Sequence, residues 1–335
     1  MTKSKHWILT KRPIGNDYEP AFELVEEDLP PLEDGQYLLK TRVLSMDSGT
    51  RMYMTDREDS YSPPLPLGSK ILGTSVGEIV ESRHPEYKAG DIVRCYGTWS
   101  DYCIVDPREL YSAKVADPVE NLREYVGVLG ANGWTAYVGV IEVGRVKPSE
   151  TFLVSAAAGC TGIMAGQVAK LSGCKVIGIC GTDEKGGVIM SKYGFDGFIN
   201  YKTQNVEEAI SKLCPEGVDV YFDNVGGPTL DAAISNMALF GRITVCGLIT
   251  SYISDVAVPG PTKFDQVLMK RLRIEGFFSP DFYHREPEFN KTLKKWAAAG
   301  QLTLPFDIVT GLENTVKAYS KLFSGANIGK VVVEM

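Results

Sequence analysis

Apolar residues follow two different rhythms along this chain. Over residues 1 to about 125 they come in short runs: Tyr37–Leu44, Gly77–Glu81, Ile92–Tyr96 and Ser100–Val105. Proline breaks at Pro30-Pro31 and Pro63–Pro66 punctuate them. Short β-like runs separated by turn residues predict a compact, irregular β domain. From Thr151 to about Gly300 apolar runs alternate with helical stretches. Strands are expected at Phe152–Ala156, Lys175–Ile179, Gly197–Asn200, Val218–Asp223, Ile243–Cys246 and Arg273–Phe277. Helices are expected at Ile163–Ser172, Val188–Tyr193, Val206–Leu213, Leu230–Ala238 and Phe264–Lys270. A further helix, Glu288–Ala299, ends at Gly300. Buried strands alternating with helices predict an α/β fold, a Rossmann-type doubly wound parallel sheet. The segment Pro305–Met335 contains the strand-like Lys330–Glu334 and is expected to return to the first domain. The domains so drawn are 1–125 with 305–335, and 126–304.

Composition narrows the function classes. A net charge of −7 over 335 residues argues against a general nucleic-acid binder, which is usually basic. A local patch can still take a negatively charged cofactor. The seven cysteines form no C-x-x-C pair, which argues against a disulfide framework and for a reducing compartment. The polar start Met-Thr-Lys-Ser-Lys-His-Trp has no leader-like apolar core, and no run reaches the roughly 18–20 apolar residues of a membrane span. The expectation is a cytoplasmic protein with neither nucleic acid nor membrane as partner.

The strongest local signal follows the strand at Phe152–Ala156. Ala157-Ala158-Gly159-Cys160-Thr161-Gly162 is a G-x-G-x-x-G fingerprint with alanine in the first glycine position. Glycines there permit a tight turn and close approach of backbone to a pyrophosphate, and the next helix supplies free N–H groups. The bland alternative is a turn that binds nothing. Strand, helix and second strand all stand in the required order, which favours the dinucleotide. NAD enzymes usually carry an acid at the end of the second strand to bind the ribose hydroxyls. Here that end reads Ile179-Cys180-Gly181-Thr182, followed by Asp183-Glu184-Lys185. Small residues leave room for a 2′-phosphate and Lys185 can neutralise it. Asp183 is expected to cap the following helix, so NADPH is the cofactor predicted.

The metal ligands of zinc alcohol dehydrogenases are missing. The chain has only His6, His84 and His284, and the segment Leu72-Gly73-Thr74-Ser75-Val76-Gly77 carries none of them. No metal is therefore expected. Without a Lewis acid, hydride addition to an electron-poor double bond is favoured over carbonyl chemistry.

At these residues the chain resembles the zinc-independent double-bond reductases of the medium-chain dehydrogenase/reductase superfamily. That group includes prostaglandin/leukotriene, alkenal and curcumin reductases. The likeness rests on Ser60–Pro64, Trp134–Tyr137, Ala156–Gly162, Gly181–Lys185, Asn200–Lys202, Phe222–Gly227, Cys246–Tyr252 and Gly325–Lys330. It implies a GroES-like β-rich catalytic domain beside the Rossmann domain, and a homodimer. It implies NADPH-dependent reduction of the C=C bond of enones or enals. Gly159, Cys160, Thr161 and Gly162 would hold the pyrophosphate. Lys185 and Tyr201 would hold the 2′-phosphate. Asn224 and the run Cys246, Gly247, Leu248, Ile249, Thr250, Ser251 and Tyr252 would border the nicotinamide and its ribose. Phe277 and Asn327 would complete the cofactor site. The family's Asp-Pro-Tyr-Met-Arg segment reads here Asp47-Ser48-Gly49-Thr50-Arg51, which changes residues near the substrate.

Tyr252 follows a strand end, where ligands bind in open α/β sheets, and can hold an enolate oxygen and supply a proton. Its alternative is a packing tyrosine bonded to backbone. Tyr61, in a proline-rich loop, is the second catalytic candidate; Tyr53 is a weaker one. Cys246 has no cationic neighbour in sequence and is expected to be a small residue beside the cofactor, not a redox thiol. Two rivals remain: an NADPH:quinone reductase, and an NADPH-binding protein without turnover.

Overall fold

The computed structural model of the protein describes residues 2–60, 62–115, 121–254 and 259–335. Within them the chain divides into two compact units, Met1–Val126 with Phe306–Met335, and Gly127–Pro305.

In the first unit, β1 (Lys3–Leu9) and β2 (Phe22–Asp28) pair antiparallel. The strands β3 (Tyr37–Ser45), β4 (Leu72–Ser82), β5 (Ile92–Thr98), β6 (Tyr102–Val105) and β7 (Ser112–Lys114) belong to a larger sheet. Two strands from the end of the chain, β14 (Phe306–Thr310) and β15 (Lys330–Glu334), join it. Its order is β14-β15-β3-β4-β5-β7, with β6 added alongside β3. Gly77 lies where β3 and β4 shift register; a Cβ there would fall 2.2 Å from the Lys40 carbonyl oxygen. Helix α9 (Thr315–Ser324) closes the core with Tyr319, whose ring meets those of Tyr18 and Trp99 edge-on at 5.1 Å. Neither β1, β2, β14 nor α9 is among the sequence expectations. In β1 the reason is physical: two of its three buried positions are polar. Ser4 and His6 are buried, and Ser4 Oγ donates to the Tyr102 carbonyl at 2.8 Å. An apolar alternation is therefore absent.

The second unit opens with α1 (Ala131–Tyr137), continued by one π-helical turn at Val138–Val143. Six strands follow: β8 (Thr151–Val154), β9 (Lys175–Cys180), β10 (Gly197–Asn200), β11 (Val218–Asp223), β12 (Met237–Val245) and β13 (Arg273–Gly276). The helices are α2 (Cys160–Leu171), α3 (Asp183–Tyr193), α4 (Val206–Leu213), α5 (Gly227–Ser235), α6 (Ile249–Tyr252), α7 (Asp265–Met269) and α8 (Glu286–Ala298). The sheet is wholly parallel, in the order β10-β9-β8-β11-β12-β13. The chain enters at the middle, runs out to β10, and returns to β11. Strand order thus reverses between β8 and β11, and ligands of such sheets bind at the carboxyl ends beside that reversal. Apolar residues on both faces of β8, β9 and β11 are covered, as parallel strands require.

Several expected boundaries move, two of them for reasons visible in the packing. Helix α3 begins at Asp183, not Val188. Gly186-Gly187 weakens helix propensity in the first turn. Gly186 is there for packing: a Cβ would fall 2.2 Å from the Phe198 ring. Helix α5 spans Gly227–Ser235, so Met237 and Ala238 belong to β12. Asn236 stops it; its side-chain amide donates to the Ala232 carbonyl at 2.9 Å and the Glu207 carbonyl at 3.0 Å.

Candidate active site

The loop from β8 to α2 is closed by backbone alone. Ala156 takes a positive φ of 49°, and its carbonyl accepts the Gly159 N–H at 2.9 Å. The Ala157 N–H donates to the Ile179 carbonyl at 2.9 Å, which ties the loop to β9. A Cβ on Gly162 would strike the Ala156 oxygen at 2.3 Å, so α2 can sit this close to the loop only with glycine there. A Cβ on Gly159 would meet only that same oxygen, at 3.2 Å, so its outer side is open. No side chain caps α2 at Gly159. Its first turn, with Cys160 and Thr161 half-buried, keeps the positive end of the helix dipole for an anion. The cradle fits the pyrophosphate of a dinucleotide.

Beyond β9 the surface is made of side chains. Thr182, not Asp183, caps α3: Thr182 Oγ1 accepts the Lys185 N–H at 3.2 Å. Asp183 is the first helical residue, and its Oδ1 accepts a bond from Asn200 Nδ2 at 2.8 Å. The reason is geometric: the N-cap needs extended φ and ψ, and Thr182 has them at −153° and 154°. The exposed ring of Tyr201 lies against Gly181, where a Cβ would meet it at 3.2 Å. Lys185 is half-buried, and burial lowers its pKa; the nearby charge of Lys202 lowers it further. Two ammonium groups that disfavour one another suit a phosphate. Lys202 is absent from the sequence-derived site. Its signal lay next door, in the Asn200–Lys202 segment.

The opposite side, at the ends of β11 and β12, is laced by backbone. The Asp223 carbonyl accepts the N–H groups of Cys246 at 2.9 Å and Gly247 at 3.1 Å. The Asn224 carbonyl takes Ile249 N–H at 3.3 Å, and the Val225 carbonyl takes Thr250 N–H at 3.3 Å and Thr250 Oγ1 at 2.6 Å. Asn224 reaches back to β8: its N–H donates to Ser155 Oγ at 2.9 Å and its Nδ2 to the Ser155 carbonyl at 2.8 Å. Beneath them the Asp223 carboxyl is fully buried. Its Oδ1 accepts from Tyr221 at 2.7 Å, Val225 N–H at 2.9 Å, Gly226 N–H at 3.0 Å and Ser155 at 3.2 Å. Burial raises its pKa all the same. Sequence reading passed over Asp223 and Ser155, because a strand-end Asp and a lone Ser give no periodic signal.

Helix α6 carries Tyr252 back over Gly247, whose Cβ, if present, would lie 3.2 Å from the phenol oxygen. That oxygen accepts the Leu248 N–H at 3.2 Å. The backbone bond foreseen as the alternative for Tyr252 is therefore present. It uses the phenol as acceptor and leaves its O–H to donate. Burial raises the phenol pKa, with the Leu248 bond opposing. Ser251 Oγ donates to the Leu248 carbonyl at 2.7 Å, which stiffens the same turn. Cys246 is half-buried, and burial, then the Asp223 charge, pushes its thiol up to about 12. A thiol so protonated is no nucleophile at neutral pH.

Phe277 follows β13 and packs its ring on Phe222, with centroids 6.5 Å apart. Gly139 of the π-helical turn makes room for both rings; a Cβ there would fall 2.5 Å from Phe222 and 2.8 Å from Phe277. Asn327 belongs to the first unit, where it is buried and donates to the Gly329 carbonyl at 3.0 Å. Tyr61 lies outside the described residues, as do residues 255–258. The altered Ser48–Met54 segment forms a 3₁₀ helix. Its anchors are not the changed residues: Lys330 Nζ bonds Asp47 Oδ1 at 2.6 Å, and buried Arg51 donates to the Pro13 carbonyl at 2.8 Å. Tyr53, within that helix, is half-buried, and its carbonyl accepts the Leu65 N–H at 2.7 Å. Among the described residues no three His, Cys, Asp or Glu side chains are grouped to hold a metal.

Two family models match the chain: "N-terminal domain of oxidoreductase" over residues 5–113 and "Zinc-binding dehydrogenase" over residues 160–298. An NADPH-dependent curcumin reductase of Escherichia coli (strain K12) is 38% identical, covering 99% of this chain and 97% of its own. A 2-alkenal reductase (NADP(+)-dependent) of Nicotiana tabacum is 40% identical over 90% of this chain and 88% of its own. The crystal structure of CurA in complex with NADPH from Vibrio vulnificus superposes with a TM-score of 0.93. It is 35% identical and covers 99% of both chains. The chain belongs to the medium-chain dehydrogenase/reductase superfamily, in the double-bond reductase branch that these relatives represent.

Proposed function

We propose that this chain reduces the C=C bond of α,β-unsaturated ketones or aldehydes with NADPH. The observation that carries this is the Tyr252 phenol, half-buried beyond the carboxyl end of β12 with its oxygen fixed by the Leu248 N–H. NADPH, when bound, supplies a hydride to the β-carbon. Tyr252 donates its O–H to the substrate carbonyl, where negative charge builds as the enolate forms. A raised pKa keeps that proton on the phenol at neutral pH, so the group acts as a donor. Tyr61 is the second proton source in this reading. Gly159, Cys160, Thr161 and Gly162 hold the pyrophosphate; Lys185 and Tyr201, helped by Lys202, hold the 2′-phosphate. Asn224 and Cys246–Tyr252 border the nicotinamide side, and Phe277 and Asn327 complete the set. NADPH deuterated at C4 on the transferred face tests the chemistry with an enone. Deuterium is expected on the β-carbon. Deuterium on a carbinol carbon would overturn the reading, and faster turnover of quinones than enones would favour the rival acceptor.

The reaction in this reading needs no zinc, since a phenol donor can stabilise the enolate in place of a Lewis acid; full activity after dialysis against a chelator is expected. The protein is read as a homodimer of the cytoplasm. Its seven cysteines are free thiols, which suits a reducing compartment. Among the described residues of the second unit β13 is the edge strand of the sheet, with Leu239, Phe240, Leu268 and Met269 near it in the chain, which are 58%, 65%, 73% and 59% exposed. An unpaired edge beside exposed apolar side chains is a ready pairing surface for a second copy. Phe240→Glu with Leu268→Glu is expected to give a monomer by sedimentation.

A further inference from the structure

Asp183 opens α3 three residues beyond the end of β9, close in sequence to the strand end where enzymes of the other cofactor preference carry a carboxylate for the ribose 2′-hydroxyl. The chain nevertheless pairs it with a phosphate-binding surface. Asn200 reconciles the two. It is buried, 4% exposed, at the end of β10, level with Cys180 of β9. Its Oδ1 accepts the Lys202 N–H at 3.1 Å, a turn in which the side chain mimics backbone. Its own N–H donates to Gln204 Oε1 at 2.7 Å, and its carbonyl accepts the Gln204 N–H at 2.9 Å. With Oδ1 committed to a backbone donor, the amide has one orientation, and Nδ2 must face outwards. It meets Asp183 Oδ1 at 2.8 Å. The same turn delivers Tyr201 against Gly181 and the Lys202 charge towards Lys185. One short segment thus assembles the cationic and aromatic groups and restrains the acid.

We propose that Asn200 is a positioning residue for cofactor specificity: its amide holds the Asp183 carboxylate away from the 2′ position, so that a chain with an acid after its second strand accepts NADPH over NADH. This rests on the NADPH reading above. Binding, not turnover, tests it: titration calorimetry of NADPH and NADH with the whole protein and its variants. Asn200→Ser keeps a hydroxyl that can accept the Lys202 N–H but cannot reach Asp183, so the turn survives; thermal melting checks this, and Asn200→Ala serves as a second variant. The serine variant is expected to bind NADPH roughly 10-fold more weakly, about 1.4 kcal/mol, with NADH unchanged or tighter. Asp183→Ala alone should alter NADPH affinity less than about 2-fold, because the carboxylate it removes is already restrained. The double variant Asn200→Ser with Asp183→Ala should recover the parent's NADPH affinity. A merely structural asparagine would weaken both cofactors alike and would not be rescued. Equal loss of NADPH and NADH, or a double variant as weak as the single, overturns the inference while leaving the cofactor reading intact. A parent that binds NADH as tightly as NADPH overturns the cofactor reading and the inference with it.

Discussion

The two flanks of β8 solve different problems with different materials. Towards β11 and β12, the carbonyls of Asp223, Asn224 and Val225 carry the following loop, and side chains turn inward to Ser155 and the buried Asp223. Towards β9 and β10, the surface is built from Thr182, Lys185, Asn200, Tyr201 and Lys202, held by side-chain bonds and charge. Backbone lacing fixes position and is indifferent to which side chain is present, which suits chemistry that tolerates little misplacement. Side-chain construction can be retuned by one substitution, which suits a choice between two cofactors. Variants on the two flanks should therefore fail in different ways.

The largest expected effect lies on the laced flank. Tyr252→Phe removes the proposed donor to the enolate and should lower kcat by about 100-fold or more, with NADPH affinity within about 2-fold of the parent. Weaker NADPH binding as the main effect, with kcat kept, would leave Tyr252 a cofactor contact alone and blur the division. On the other flank, Lys185→Ala should weaken NADPH roughly 10-fold and leave NADH alone, a loss in KM with kcat kept at saturation. A fall in kcat at saturating NADPH would instead couple the two sides. Cys246 gives a pH signature. Its thiol binds its proton more tightly folded than unfolded, so its share of stability is full below 9.0 and is lost as pH rises towards about 12. Denaturant midpoints of Cys246→Ser should therefore fall less steeply over that window than those of the parent. The smallest effect is at the α3 cap: Thr182→Ala should cost about 1 kcal/mol of stability, read from the same denaturant curves, with Tyr252 chemistry unchanged.

The same contrast decides what could be read from sequence. Strands β10 and β11, helix α4 and strand β15 are predicted with the boundaries observed, because each carries an apolar run or stripe that packs against the core. Lys185 is proposed from its place after the second strand, whereas Tyr201 and Asn224 are proposed from segments that resemble those of the family. Strand β1 is not, since it buries Ser4 and His6. Helix α9 carries a stripe at Val316, Tyr319 and Phe323, yet it lies in a segment where only a strand was sought. The Asp183 expectation was wrong by one residue, because threonine and aspartate are both good caps and only the backbone angles separate them. Asp223 and Asn200 make hydrogen bonds to residues distant in sequence, Ser155 and Asp183, and such pairings have no period to detect.

The three carbonyls at 223–225 also set how this end of the sheet breathes. Loops beyond strand ends ordinarily trade their amide hydrogens with solvent quickly, since few of them are bonded. Here the amides of Cys246, Gly247, Ile249 and Thr250 are all occupied. They can exchange only when the end of β11 opens with them, so deuterium uptake in this loop should follow the slow clock of the sheet. The segment that presents Tyr252 is, in that sense, an extension of the core rather than a loop upon it.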